Sequence, residues 1–176
     1  MARKIPPQHR ADTPGVFIAR TDTAFDQDRL DRELARMLEQ GQDPAAHPVN
    51  RYYAGETRYD LEAVDQLFGE VVTAGSYFDA SKAPERWVLR RLDWDQWHRV
   101  MGLLEQGALQ QGQLLAARYG VAEVQNSTFR LTGAAAGMLT HDDMQRLFDA
   151  DATLPSALGF AVWRYSRPLT DAEKKA

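Results

Sequence analysis

Residues 85–107, ERWVLRRLDWDQWHRVMGLLEQG, change their hydrophobic period halfway along, and this change indicates the fold class. In the first part, Trp87 and Leu89 alternate with arginine and valine, which is typical of a strand with one buried face. From Asp93 onward, apolar residues recur at steps of three and four, which predicts an amphipathic helix that Asp93 caps and Gly107 ends. The predicted apolar face contains Trp94, Trp97, Val100, Met101 and Leu104. We therefore expect the three tryptophans of this stretch to pack in or near the core rather than to form a ligand site.

Patterns on both sides of this unit predict a helix-dominated α+β fold with a small β-hairpin or sheet. Within the N-terminal arm, GVFIAR (15–20) is a short apolar run that could dock as an edge strand, a short strand could form within 121–131, and a hairpin is expected around Gly55. The predicted helices cover 26–40, 61–70, 108–119 with an interruption at Gly112, 141–150 behind a Thr140 cap, and 154–166. Leu30, Leu34, Met37 and Leu38 should share the buried face of the first helix, and Met144, Leu147 and Phe148 that of the helix at 141–150. GAAAG at 133–137 is expected to be a flexible hinge.

The length and composition fit one globular domain. We predict an extended arm at 1–24, a single domain at 25–169 and a C-terminal tail at 170–176, since 176 residues suffice for one core. The net charge of −4 is spread without long runs of one sign, which argues against nucleic acid as a partner. The absence of cysteine excludes disulfides, thiolate metal sites and cysteine nucleophiles. No long apolar run occurs, so we expect a soluble protein with no membrane partner and no export signal.

The residues that usually carry chemistry do not form a recognisable motif. The four histidines, His9, His47, His98 and His141, stand apart from one another in the sequence. Helix capping and a solvated helix end account for the acidic residues beside His141, although such residues could also hold a divalent ion. These acidic residues are Asp142, Asp143, Asp149 and Asp151. The sequence therefore predicts no catalytic residue, no cofactor and no metal.

Aromatic and arginine residues suggest contacts with other proteins, because these types are enriched at interface centres. The predicted hairpin carries Arg51, Tyr52, Tyr53, Arg58 and Tyr59. A hairpin with one face on the core would use about half of its tyrosines for folding, so both interpretations stay open. On the last helix, one narrow stripe cannot bury Phe160, Val162, Trp163 and Tyr165 together, which makes Trp163 and Tyr165 candidates for a partner.

The order of these elements resembles the small morphogenesis proteins of tailed bacteriophages, above all the tail assembly chaperones. The resemblance is carried by HPVNRYYAGETRYDL, by WVLRRLDWDQWHRVMGLLEQG and by LPSALGFAVWRYSRPLTDAEKK, and it covers residues 47–176. It implies a non-enzymatic protein of the host bacterial cytoplasm. Such a protein would bind the tape-measure protein, recruit tail-tube subunits and leave the finished tail.

Three other functions remain open at this level. The chain could be a structural virion component, such as a head-to-tail or tail-tip subunit that contacts neighbouring virion subunits. It could be a phage-encoded inhibitor of a host defence protein, or an enzyme of an unrecognised kind. The sequence also leaves open the oligomeric state, the stoichiometry with a partner and the existence of a longer frameshifted form.

Overall fold

A computed structural model describes residues 14–55 and 82–167, which form six α-helices and one three-stranded antiparallel sheet. The strands are β1 (Gly15–Phe17), β2 (Arg86–Leu89) and β3 (Val121–Gln125). The helices are α1 (Gln27–Glu39), α2 (Pro48–Tyr53), α3 (Trp94–Glu105), α4 (Leu109–Gly120), α5 (His141–Ala150) and α6 (Leu154–Ser166). The predicted helix-dominated α+β class is confirmed.

The sheet has β2 in the centre, between β1 and β3. Val88 pairs with Val16 of β1, and Trp87 pairs with Val124 of β3. Trp87 and Leu89 are fully buried while Arg86 and Val88 are half-buried, as the alternation predicted. GVFIAR, which the sequence allowed to dock as an edge strand, contributes β1, an outer strand of the sheet formed by the described residues.

Helix α6 is the centre of the helical layer and lies directly against α4. Two glycines permit this approach. A Cβ atom on Gly159 would lie 1.9 Å from the carbonyl oxygen of Gln113, and one on Gly120 would lie 2.1 Å from Cγ1 of Val162. Real Cβ atoms do not approach other atoms so closely, so these positions require glycine. The buried residues of α6 are Leu154, Pro155, Leu158, Gly159, Ala161, Val162 and Tyr165.

Helix α3 begins and ends where the sequence predicts, but not all of its predicted core face is buried. Asp93 forms a capping box with Gln96, and Gly107 has a positive φ of 79°. Val100 is buried and Trp97 is half-buried, whereas Trp94 is 73% exposed, so its predicted burial was wrong. Trp94 is the first helical residue, at the margin of the apolar stripe, and its ring contacts the His98 ring with centroids 3.9 Å apart and planes tilted by 40°. Leu38 of α1 and Phe148 of α5 are likewise exposed, against expectation.

Residues 48–53 form α2, so the strand predicted for this limb of a hairpin was wrong. The His47 side chain accepts a hydrogen bond from the backbone N–H of Val49, and Pro48 occupies the first helical position. Gly55 follows the helix with a φ of +75°, in the position where glycine commonly ends helices. The other predicted limb, the helix at 61–70, the start of the arm and the C-terminal tail lie outside the described residues.

Two glycine-containing segments are more regular than expected. The predicted hinge at 133–137 contains a 3₁₀ turn, Ala134–Ala136, and the backbone N–H of Gly133 is buried and hydrogen-bonded. Gly112 does not interrupt α4. A Cβ atom there would lie 2.6 Å from Cδ2 of Leu104, so glycine at this position lets α3 approach α4.

Candidate partner-binding surfaces

The tyrosine pair that was predicted as a partner contact holds the first strand in place. Tyr52 is fully buried, and its hydroxyl oxygen accepts a 3.1 Å hydrogen bond from the backbone N–H of Ile18. The half-buried Tyr53 donates its hydroxyl to the carbonyl of Ile18 at 3.0 Å. Because successive helical residues are about 100° apart, both rings reach the same segment from neighbouring positions of α2. Tyr52 therefore stabilises the fold. Arg51 is exposed, and Arg58 and Tyr59 lie outside the described residues.

The two candidates on the last helix occupy different environments. Tyr165 is buried, with the guanidinium carbon of Arg91 lying 4.8 Å from its ring centroid. Trp163 is half-buried, and its indole N–H points at the sulfur of Met101, 3.4 Å away. Trp163 therefore lies at the boundary between core and surface, as the crowding of aromatic residues on α6 suggested, whereas Tyr165 belongs to the core.

Trp163 forms part of an apolar groove between α3, α4 and α6, which we call the Trp163 groove. The cavity has a volume of about 350 Å³ and contains one charged lining residue, Glu105. Leu109 stands at its edge and is 61% exposed. The lining is otherwise built by Val100, Met101, Leu104, Gly112, Gln113, Phe160 and Trp163. Methionine and aromatic side chains in an open apolar groove are the composition expected of a protein-binding surface.

A second apolar groove, which we call the Arg118 groove, lies on the other side of α4. It runs mainly between α4 and α5, and Leu103 of α3 and Pro155 of α6 also line it. Its volume is about 420 Å³. Leu114, Leu115 and Arg118 of α4 face Met144 and Phe148 of α5 across it, and Phe148 is 47% exposed. Sequence reasoning placed Phe148 in the core and did not single out Arg118. The sequence signal that could have identified Arg118 is its position one turn after the Leu114–Leu115 pair, on an otherwise apolar helix face.

Asp143, one of the acidic residues near His141, stabilises the fold. Asp143 is buried, and its carboxylate accepts hydrogen bonds from the backbone N–H groups of Thr132, Gly133 and Thr140 at 2.8–3.0 Å. Arg146 adds a contact of 2.5 Å. These contacts gather the 132–140 segment around one carboxylate, which is why the predicted hinge is an ordered turn.

The environment of Asp143 strongly favours its charged form. Burial raises the pKa of Asp143, but hydrogen bonds from the Thr132, Thr140 and Gly133 backbone and from the Thr140 side chain outweigh it, so the pKa lies far below its ordinary value. For Asp151, the hydrogen bond from the Thr21 hydroxyl lowers the pKa, against a smaller opposing effect of burial.

The described histidines occupy three separate environments. His47 caps α2, and His141 lines the Arg118 groove. Nδ1 of His98 lies 2.8 Å from the carbonyl oxygen of Trp94 in the same helix, where it can donate a hydrogen bond. Across residues 14–55 and 82–167, no group of three or more histidine, aspartate or glutamate side chains is placed to hold a metal ion. His9 lies outside these ranges.

None of the helices in the described part of the chain has the length and apolar character needed to cross a bilayer. Comparisons with models of known protein families, with curated proteins and with solved structures found no match to this chain.

Proposed function

We propose that this protein is a non-enzymatic assembly factor of a tailed bacteriophage, acting in the host bacterial cytoplasm as a tail assembly chaperone. Its partners would be the tape-measure and tail-tube proteins. The proposal combines the sequence resemblance of residues 47–176 with the Trp163 groove, which is the observation that carries it. A chaperone needs a surface that folding leaves accessible, and this groove supplies one.

The groove has the features of an interface centre. Trp163, Met101 and Phe160 offer large, polarisable surfaces, and residues of these types contribute most to protein binding. The half-buried Trp163 is held by α6, which packs tightly on α4, so this anchor is rigid before any partner arrives. Rigid anchors bind at a lower entropic cost than mobile ones. Leu109 adds an exposed apolar edge that a partner would cover.

The test uses a matched pair of surface substitutions. Leu109→Glu places a negative charge at the edge of the Trp163 groove. The control, Leu38→Glu, places the same charge on α1, outside the groove. The two leucines are 61% and 63% exposed, so both variants should keep the melting temperature of the unmodified protein. We expect Leu109→Glu to weaken binding to the tape-measure or tail-tube protein by about thirtyfold or more, which is about 2 kcal/mol. Leu38→Glu should bind normally.

The measurement is co-expression with the tape-measure and tail-tube proteins of the same phage, followed by affinity purification and titration of the complex. If both variants bind as the unmodified protein does, the groove is not the binding surface. If the unmodified protein binds neither protein, the chaperone proposal fails.

A further inference from the structure

The Arg118 groove is separate from the surface used in the proposed function, and its walls have a regular geometry. On α5, His141, Met144 and Phe148 are spaced at i, i+3 and i+7 and all line the groove. On α4, Leu114, Leu115 and Arg118 line it with the spacing of one helical face. Residues with this spacing form a continuous stripe along a helix. These two helical stripes form two walls of the groove, and Leu103 of α3 and Pro155 of α6 complete its lining.

The groove has a distinct polar end. The backbone N–H of Leu139 donates to the carbonyl of Arg118 at 2.8 Å, and Nε of Arg118 donates to the carbonyl of Leu139 at 3.2 Å. These bonds bring the last turn of α4 beside the first turn of α5, so Arg118 and His141 lie at the same end. Phe148 is seven residues farther along α5, about 10 Å away at 1.5 Å per residue.

The charge at this end of the groove is positive. Arg118 is the charged lining residue, and His141 adds an imidazole that can donate a hydrogen bond. Within the described part of the chain, no carboxylate forms an ion pair with Arg118, whose bonds go to the backbone of Leu139. Asp142 follows His141 in sequence but does not line the groove. An occupant with a carboxylate at this end and apolar groups along the rest would be complementary.

We propose that the Arg118 groove binds an amphipathic helix of a partner protein, with apolar residues at i, i+3 or i+4, and i+7, and an acidic residue in the turn that faces Arg118. A helix fits because the groove is open to solvent, two of its walls are helical stripes, and the distance from its Arg118 end to Phe148 matches about two turns of helix. Enclosed sites for small molecules surround most of the ligand surface instead. The inference stands apart from the phage assignment.

The probe is a displayed library of helical peptides of about 18 residues, long enough to form helix in water. The apolar stripe varies among Leu, Ile, Met and Phe, and the flanking turns vary among Glu, Gln and Lys. We expect selected binders to carry Glu in one flanking turn. By fluorescence anisotropy with the full chain, the Glu→Lys version of a selected peptide should bind about tenfold more weakly or worse.

Protein variants locate the binding. Phe148→Gln should weaken the selected peptide by about tenfold or more. Arg118→Gln should remove the preference for Glu over Lys, and Arg118→Lys should keep it, which separates the role of the charge from loss of the backbone contacts to Leu139. Leu109→Glu should change nothing, because it lies in the other groove; this makes failure here distinguishable from failure of the proposed function.

Three results would overturn the inference: selection of no binder, equal binding of Glu and Lys peptides, or binding that Leu109→Glu abolishes and Phe148→Gln does not. Sedimentation of the protein alone supplies a further check. A dimer that Phe148→Gln dissociates would show that a second copy of the chain fills the groove, and the proposed partner helix would be wrong.

Discussion

Replacing Asp143 by asparagine tests how one buried carboxylate organises the 132–140 segment. One carboxylate oxygen accepts from the backbone N–H groups of Gly133 and Thr140, and the other accepts from Thr132 and Arg146. With its amide nitrogen toward Thr132 and Arg146, asparagine would leave the Thr132 N–H without an acceptor, while the 45% exposed Arg146 can turn to water. The opposite orientation would leave the N–H groups of both Gly133 and Thr140 without one. A buried donor without an acceptor costs about 1–3 kcal/mol, so the less costly orientation predicts a loss of stability of about 1–3 kcal/mol.

The assay is urea denaturation followed by tryptophan fluorescence, with Asp142→Asn as the matched control. Asp142 is exposed and adjacent, so its replacement should lose only the helix N-terminal charge effect, less than about 1 kcal/mol. Equal losses for the two variants would refute the role assigned to Asp143.

The lowered pKa of Asp143 predicts that the stability of the protein depends on pH. Because the pKa of Asp143 is depressed in the folded protein, its stabilisation is present above the ordinary aspartate pKa of about 3.9 and is lost as the pH falls. The stability difference between the unmodified protein and Asp143→Asn should shrink by about 1.4 kcal/mol for each pH unit below that value. A difference that stays constant down to about pH 2.5 would show that the carboxylate charge is not what binds the segment.

Three further predictions concern packing, each measured by chemical denaturation. Gly159→Ala should destabilise the protein by about 3 kcal/mol because the added Cβ would collide with the α4 backbone. Gly102→Ala adds a Cβ that meets nothing within 4 Å, so it should stabilise α3 by about 1 kcal/mol. Similar effects at both sites would contradict the close α4–α6 contact. Trp87→Ala should cost about 3–5 kcal/mol and Trp94→Ala less than about 0.5 kcal/mol, and comparable costs would show that their burial differs less than described. Tyr52→Phe should cost about 1–2 kcal/mol by leaving a buried backbone N–H unpaired, and a neutral result would argue against the anchoring of β1.

The elements that sequence predicted well are those whose local signals and packing agree. The strand at 86–89 and helix α3 are set by a clear change of period and by the cap at Asp93, and α5 is set by its Thr140 cap. The helical layer of the fold follows from such signals. Trp94 was wrongly predicted to be buried because a stripe of apolar residues at helical spacing does not show how much of the helix is covered by neighbouring elements.

Residues 48–53 were misassigned because the β preference of two adjacent tyrosines was weighed above the end signals of the segment. Pro48 at the first position and Gly55 after the last turn favour a helix, and these signals were present in the sequence. The turn at 133–137 is different. This turn is held by hydrogen bonds to the carboxylate of Asp143, which lies several residues away in the sequence. The glycine content of the segment does not reveal these bonds, so it predicted a hinge.

The candidate surfaces were predictable only in part. Crowding of aromatic residues on α6 indicated that some of them face outward, and Trp163 does line a groove. Tyr165 is buried and contacts Arg91, a residue 74 positions earlier in the sequence, and no local pattern reveals such a contact. The two stripes that face each other across the Arg118 groove belong to α4 and α5, which are separated by the twenty residues between Gly120 and His141, so the stripes meet only in the folded chain.

The most direct test of the proposed function is quantitative mass spectrometry of this protein through a phage infection, in assembly intermediates and in purified virions. If the protein is a tail assembly chaperone, it should be enriched with the tape-measure protein in intermediates from infected cells and absent from finished virions. Retention in purified virions at a fixed ratio to the tail-tube protein would contradict the chaperone assignment and identify the chain as a structural component of the particle.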